Sequence, residues 1–166
     1  VARPLTKFNY SSYGWNLLSA AVEDAANQPF LDYMQQAVFA PLGMQMTCAD
    51  KKDSLLVHRT GFYSRKGNQV KVSPEVDNSV KWAGGGFLSS VTDVLRFGNA
   101  YLKPDLLSQV TINEFWENQQ TASGKMTYYG IGWQIWEDGN GYLWYGHSGG
   151  AVGGTSQLLI QPDKEI

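Results

Sequence analysis

The chain has one cysteine, two histidines and no excess of either charge in its 166 residues, and each shortage closes off a class of function. Cys48 alone excludes an internal disulfide and a thiolate metal cluster, and it reads as a small apolar core residue. His58 and His147 lie far apart in sequence, too little for a zinc site, so neither metal nor cofactor is expected. Thirteen basic against fifteen acidic residues leave a net charge of -2. The short Lys51-Lys52 pair looks like solvated surface, and with no basic patch nucleic acid is not an expected partner. No run of about 18 apolar residues occurs, so no segment is expected to span a membrane. At 43% hydrophobic and 17% charged, the composition is that of a globular domain able to bury a core.

Against those absences stands Gly146-His147-Ser148-Gly149-Gly150, which fits two unrelated catalytic devices. Read as G-x-S-x-G it is a nucleophile elbow, with Ser148 exposed on a strand-to-helix turn. That device demands a helix after the serine and a histidine later in the chain. Ala151-Val152-Gly153-Gly154 and the short apolar run up to Pro162 favour a strand instead, and no histidine follows His147. The other reading puts the five residues on an edge strand and turn, where His147 and Ser148 face a cleft and the Gly149-Gly150 backbone lets a substrate come close. The nucleophile must then come from elsewhere. A plain glycine-rich hairpin end with a solvated histidine remains the bland alternative.

Apolar residues Leu17, Leu18, Ala21, Val22 and Ala25 recur at helical spacing from Ser12 to about Ala26, which predicts a core-facing helix with Tyr10-Ser11-Ser12 at its mouth. A second helix is expected from Pro29 through Val38, ending near Pro41. Val57 to Ser73 reads as a hairpin turning at Lys66-Gly67-Asn68 with alternating Val70 and Val72. Ala83-Gly84-Gly85-Gly86 leads into a helix that starts at Ser90, where Asp93 stands in a capping-box position and Val94, Leu95, Phe97 and Tyr101 form the buried stripe. Those glycines suit tight backbone packing better than a phosphate cradle, since no P-loop Lys-Ser/Thr follows. Ser108 opens a further helix through Val110, Ile112 and Phe115. The last third changes period, and Tyr129 to Glu137, Tyr142 to Tyr145 and Thr155 to Gln161 read as three antiparallel strands. The expected organisation is one partial domain, with residues 1–128 a mainly helical lobe with a hairpin and 129–166 sheet strands.

Four blocks occur in one order: Phe8 to Leu18, Pro41-Leu42-Gly43-Met44, Ala83 to Asp93, and Gly146 to Gly150. Together they resemble the class C β-lactamase and penicillin-binding-protein superfamily of serine hydrolases. The likeness is strongest to its serine β-lactamase-like branch, which has a mitochondrial animal form. The resemblance implies an α+β, β-lactamase/transpeptidase-like fold, an antiparallel sheet flanked by helices with a helical lobe, here incomplete at both ends. In that family a Ser-x-x-Lys motif carries the nucleophile, a Tyr-x-Asn motif the proton-handling tyrosine, and a Lys/His-Ser/Thr-Gly strand completes the cleft. Tyr10 matches the tyrosine, and His147, Ser148 and Gly149 match the strand motif. Ser12 stands where many members have asparagine. No Ser-x-x-Lys precedes Tyr10, so the segment alone is expected to be inactive.

The resemblance further implies an acyl-enzyme reaction in which a serine attacks a lactam, ester or peptide carbonyl. Tyr10 would handle the proton under the influence of nearby cations, and His147, when charged, would add to that field. Ser148 would donate a hydrogen bond to substrate, Ser12 and Gly149 would help bind it, and the Gly150 N–H would form half of an oxyanion hole. The partner is a small-molecule or peptide substrate: a lactam, an ester or a D-amino-acid peptide. Open sheet edges would allow a complementary chain segment or self-association. A non-catalytic peptide- or carbohydrate-binding module is the competing class, given six tryptophans and nine tyrosines. Exported bacterial members of the family make the periplasm the expected compartment.

Overall fold

Ser11 starts the first helix because its extended backbone lets its side chain accept a hydrogen bond from the Gly14 N–H at 3.2 Å. In the computed structural model, which describes residues 3–103 and 106–166, that helix is α1, Ser12–Ala26. It ends at Asn27, whose left-handed backbone turns its N–H back onto the Glu23 and Asp24 carbonyls. α2 (Phe30–Met34) follows, its first N–H satisfied by the Glu23 carboxylate at 2.8 Å. The single helix expected from Pro29 is interrupted. Gln35–Phe39 widens into a π turn closed by Ala40 N–H donating to the Gln35 carbonyl at 2.9 Å. That turn carries Phe39, which is buried and meets Phe87 edge-on at 5.4 Å.

The remaining elements are β1 (Cys48–Ala49), β2 (Tyr63–Lys66), β3 (Gln69–Val72), β4 (Phe87–Leu88), α3 (Val91–Leu102), α4 (Gln109–Trp116), β5 (Gln134–Glu137), β6 (Leu143–Ala151), β7 (Gly154–Ile160) and a 3₁₀ turn at Pro162–Lys164. β1 pairs with β4, β2 with β3, and β6 lies between β5 and β7. Helices and antiparallel strands together make an α+β architecture. The chain divides into two compact units. The first takes the chain up to Tyr10, Val94–His147 and Gln157–Ile166; the second takes Ser11–Asp93 and Ser148–Ser156.

The first unit is built around buried rings and branched side chains: Tyr101, Ile112, Trp133 and Ile160, with Phe97, Phe115, Trp116, Tyr145 and Leu158 packed against them. Each fully buried side chain of this kind contributes about 1.5–3 kcal/mol. Ser108 caps α4 as its sequence suggests, accepting from the Thr111 N–H at 3.2 Å, and the helix delivers Ile112 to the core. Trp136 and Trp144 sit opposite each other between β5 and β6. The turn between those strands is held by Asp138, whose carboxylate accepts from the Asn140 and Tyr142 N–H groups and the Trp144 indole.

The second unit buries Phe39 and Met44 and, beside them, charged groups. Asp93 is fully buried and accepts from the Met46 N–H at 2.7 Å and the Thr47 hydroxyl at 2.9 Å. This corrects the capping-box expectation by half: Ser90 does accept from the Asp93 N–H, but the Asp93 side chain is committed to the segment before β1. Asp50, also buried, accepts from Arg59 at 2.7 Å and Asn78 at 2.7 Å.

Several other expectations change. α1 buries no residue and Leu17 is 75% exposed, because the neighbouring elements of its unit do not cover its apolar stripe. Leu95, expected in the buried stripe of α3, is exposed, and in the expected β2–β3 hairpin Val70 and Val72 stand opposite Arg65 and Tyr63. The predicted turn itself is right: β2 and β3 meet at Gly67 and Asn68, with Gly67 at a positive φ. Cys48 is half-buried, and desolvation, followed by the Asp50 charge, pushes its thiol pKa up. The Gly146 to Gly150 segment lies within β6, the middle strand in sheet order, but the β5 pairing stops at Gly146, so His147 to Gly150 run past the end of β5. The turn comes later, at Val152 and Gly153, where two residues link β6 to β7 and so force a hairpin.

Candidate active site

Tyr10 is the last residue before the α1 cap, and His147 follows Gly146 on β6; although they come from opposite ends of the chain, their rings lie 5.7 Å apart in the first unit. Gly146 has to be glycine, since a Cβ there would run into the Leu158 carbonyl oxygen of β7 and sit 3.0 Å from the Leu159 side chain. That close approach fixes the strand from which His147 projects. Tyr10 is 49% exposed, whereas His147 is half-buried.

A third ring completes the cluster, and sequence reasoning missed it. Tyr129 meets Tyr10 edge-on at 6.1 Å, packs on Phe8 at 5.2 Å, and its hydroxyl lies 2.8 Å from His147 Nε2. Burial, with a smaller contribution from Tyr10, pushes the Tyr129 phenol up to about 12. It therefore stays protonated at neutral pH and available as a donor. The sequence carried no signal for it beyond being one of nine tyrosines, in a stretch that reads as the start of a strand.

The second unit holds the other candidates. Ser12 and Gly150 line a groove of about 490 Å³ together with Tyr13, Asn16, Arg59, Gly84 and Val152. Ser12 opens α1, whose first turn carries no acidic side chain, so the positive end of the helix dipole there is uncompensated by a local carboxylate. Gly84 permits the close approach expected of the glycine loop: a Cβ would lie 2.6 Å from the Ser12 carbonyl oxygen, and the Gly84 N–H donates to Asn16 Oδ1 at 2.9 Å. With that N–H used, the loop serves packing rather than a phosphate. Gly150 differs from Gly146, because a Cβ there would meet nothing within 4 Å. Its lack of a side chain is not demanded by packing.

Ser148 and Gly149 are exposed on the same strand, and a Cβ at Gly149 would press on the Ser156 hydroxyl across the hairpin. No helix follows Ser148, which removes the structural context of the nucleophile elbow. Arg59 and Asn16 were also missed by the sequence reading; both line the groove, Arg59 while paired to buried Asp50. His58, the other histidine, is exposed in a left-handed backbone conformation. Among the described residues, no group of three His, Cys, Asp or Glu side chains is arranged to hold a metal ion, and no helix is long and apolar enough to cross a membrane.

The mitochondrial serine beta-lactamase-like protein LACTB of Mus musculus is 35% identical over 188 residues, covering 98% of this chain and 34% of its own length. Penicillin-binding protein 4* of Bacillus subtilis is 25% identical over 162 residues, 90% of this chain and 36% of that protein. The chain thus spans about a third of the length of these curated relatives. A crystal structure of a D-stereospecific amidohydrolase from Streptomyces superposes on 98% of the chain with a TM-score of 0.82 at 23% identity, covers 49% of that protein, and shows the shared β-lactamase/transpeptidase-like fold. The family model described as Beta-lactamase matches residues 1–166. With that match over the whole chain and the 35% identity to LACTB, the chain belongs to the Beta-lactamase family of serine hydrolases.

Proposed function

We propose that the protein bearing this chain is a serine acyl hydrolase of β-lactamase, D,D-peptidase or esterase type, working through an acyl-enzyme. The observation that carries the reading is the proximity of Tyr10 and His147, two residues the family motifs single out from distant parts of the sequence. No serine in the chain has a lysine three residues on. The nucleophile of this reading is therefore a serine of a Ser-x-x-Lys motif outside these residues, and the 166 residues alone are inactive.

In the reaction, the serine oxygen bonds to the carbonyl carbon of a lactam, ester or D-amino-acid peptide, and its proton passes to Tyr10 and on to the leaving group. Water then opens the ester. The Gly150 N–H donates to the oxyanion, a contact whose loss costs about 3 kcal/mol of transition-state stabilisation in comparable enzymes. Ser12, Ser148 and Gly149 bind substrate. Ser12 supplies a shorter hydroxyl where many relatives have an amide, which favours substrates that do not rely on that contact. A complementary segment or a second copy would add a strand along β7, since the outer side of β5 is already met by Tyr128 and Tyr129. Export to the periplasm is the compartment that goes with a bacterial source, and the relative named as mitochondrial marks the alternative.

The test is to treat the purified 166-residue chain, and a longer form carrying a Ser-x-x-Lys, with a chromogenic lactam, an ester and a serine-reactive acylating probe. The expected result is turnover and a single adduct on the Ser-x-x-Lys serine of the longer form, with none on the shorter one. A stoichiometric adduct on Ser148 would overturn the assignment. A longer form without turnover or adduct would point to the binding module instead.

A further inference from the structure

We infer that the groove of the second unit binds a short peptide with both ends free, taking its carboxylate at Lys81 and its ammonium at Glu75. Four charged side chains line this groove: Asp50, Arg59, Glu75 and Lys81. Two of them already satisfy each other. Asp50 is 3% exposed, and its two carboxylate oxygens accept from Arg59 and from Asn78, each at 2.7 Å. The Arg59 guanidinium also lies over the Phe62 ring, 5.8 Å from its centre. This pair makes a wall with no net charge to offer a ligand.

Glu75 and Lys81 are in a different position. Among the described residues neither side chain enters an ion pair or a hydrogen bond, with the other or with anything else. Both are nevertheless carried on fixed backbone. The Lys81 N–H donates to the Asn78 carbonyl at 3.2 Å and its carbonyl accepts from the Gly84 N–H at 3.0 Å, while Glu75 follows Ser73, which is buried and donates its N–H to the Phe62 carbonyl at 2.9 Å. The groove thus holds one unmatched cation and one unmatched anion at set places. Apolar surface accompanies them, from Tyr13, Phe62, Val76 and Val152. Its volume of about 490 Å³ falls within the range of small-molecule sites, about 300–1,000 Å³.

The charges select the ligand. A molecule with a single charge is attracted by one of the two side chains and repelled by the other, and a neutral one, such as a carbohydrate, matches neither. A short peptide with free ends carries both charges apart from each other, with side chains between them for the apolar walls. That the bound peptide is also a substrate rests on the acyl-hydrolase reading, through Gly150 in the same groove. The binding itself does not.

The test uses the dipeptide Phe-Leu with free ends, its N-acetyl form, its C-terminal amide and the doubly blocked form, each in the L,L and D,D series, titrated into the protein at low salt by calorimetry. In one series the free dipeptide should bind most tightly, and blocking either end should weaken binding about fivefold, the size of one partly exposed ion pair. Lys81→Met should abolish the effect of amidation and keep that of acetylation; Glu75→Gln should do the reverse. Equal binding of the four peptides, or no binding in either series, overturns the inference without need of a variant. So does an acetylation effect that survives in Glu75→Gln. Charge-dependent binding without cleavage of the same dipeptide by a longer form carrying a Ser-x-x-Lys upholds the inference and counts against the hydrolase reading alone. Turnover of a chromogenic ester by that form, with no preference for free peptide ends, does the opposite.

Discussion

One unit of this chain is built around a cluster of buried rings, and the other adds buried charge to its apolar core. Around Tyr101, Ile112, Trp133 and Ile160 the first unit is stabilised by area removed from water, which tolerates imprecision. Around Asp50 and Asp93 the second depends on hydrogen bonds to buried carboxylates, in which every partner counts. The candidate residues follow the same division. Tyr10, Tyr129 and His147 form a tight aromatic cluster with a protonated phenol, whereas Ser12, Arg59 and Gly150 line an open groove of mixed polar and apolar character.

The sharpest way to break this contrast is Trp133→Ala, which removes a ring in contact with Phe97, Tyr101 and Trp116. Urea unfolding should show a loss of about 3–5 kcal/mol; a loss below about 1 kcal/mol would mean that the ring cluster is not the main source of stability. In the second unit Arg59→Met should cost about 2–3 kcal/mol, because among the described residues Asp50 keeps only the Asn78 side chain as a partner for its carboxylate, less than for a fully buried pair since Arg59 is partly solvated. Adding Asp50→Asn should restore most of that loss. If the double variant is as unstable as Arg59→Met, charge burial is not the cause.

Along β6 the two kinds of glycine can be set against each other. Gly146→Ala should destabilise by about 1–3 kcal/mol through its clash with the β7 backbone. Gly150→Ala should leave the melting temperature within a degree or so, about 0.5 kcal/mol at most, while slowing turnover in a competent form. Equal stability losses at the two positions would remove the distinction between packing and function.

The smallest effects are titrations. The Tyr129 phenol is raised on folding, so the stability it adds is fully present below its usual value near 10 and is lost as pH rises through about 12. Tyr129→Phe should remove that alkaline phase. The Asp138 carboxyl is lowered by the Trp144 indole and the Asn140 N–H, so its contribution is present above the usual carboxylate range and is lost as pH falls through the lowered value. Amide exchange in the β5–β6 turn should quicken only there. A uniform acid response across the molecule would assign it to other carboxylates.

What could be read from the sequence was what depends on local chemistry. Ser11 and Ser108 cap helices as serines before apolar periods do, Gly67 turns the first hairpin, and the four motif blocks carry the family. What could not be read depends on partners distant in sequence. The apolar spacing of α1 predicts a buried face, yet Leu17 faces outward because spacing cannot say whether a neighbour exists. Asp93 has the position of a capping residue, but Met46 and Thr47 claim its carboxylate. Tyr129 looks like any strand tyrosine until His147 arrives from later in the chain. The π turn at Gln35–Phe39 likewise has no marker in a stretch whose composition suits an ordinary helix.

The aromatic core also gives the protein an optical signature. Trp116 stacks on Tyr145 at 4.4 Å and stands perpendicular to Trp133 at 6.3 Å, while Tyr101 lies 4.6 Å from Trp133. Chromophores this close share their excited states, so this group should give a coupled band in circular dichroism and pass tyrosine excitation on to tryptophan. The Trp116 indole N–H is buried without a hydrogen-bond partner among the described residues, which sets its emission to the blue of a solvated tryptophan. The coupled band of this ring group thus offers a label-free report on one of the two units as that unit opens, while Trp15 and Trp82 add the signal of the other.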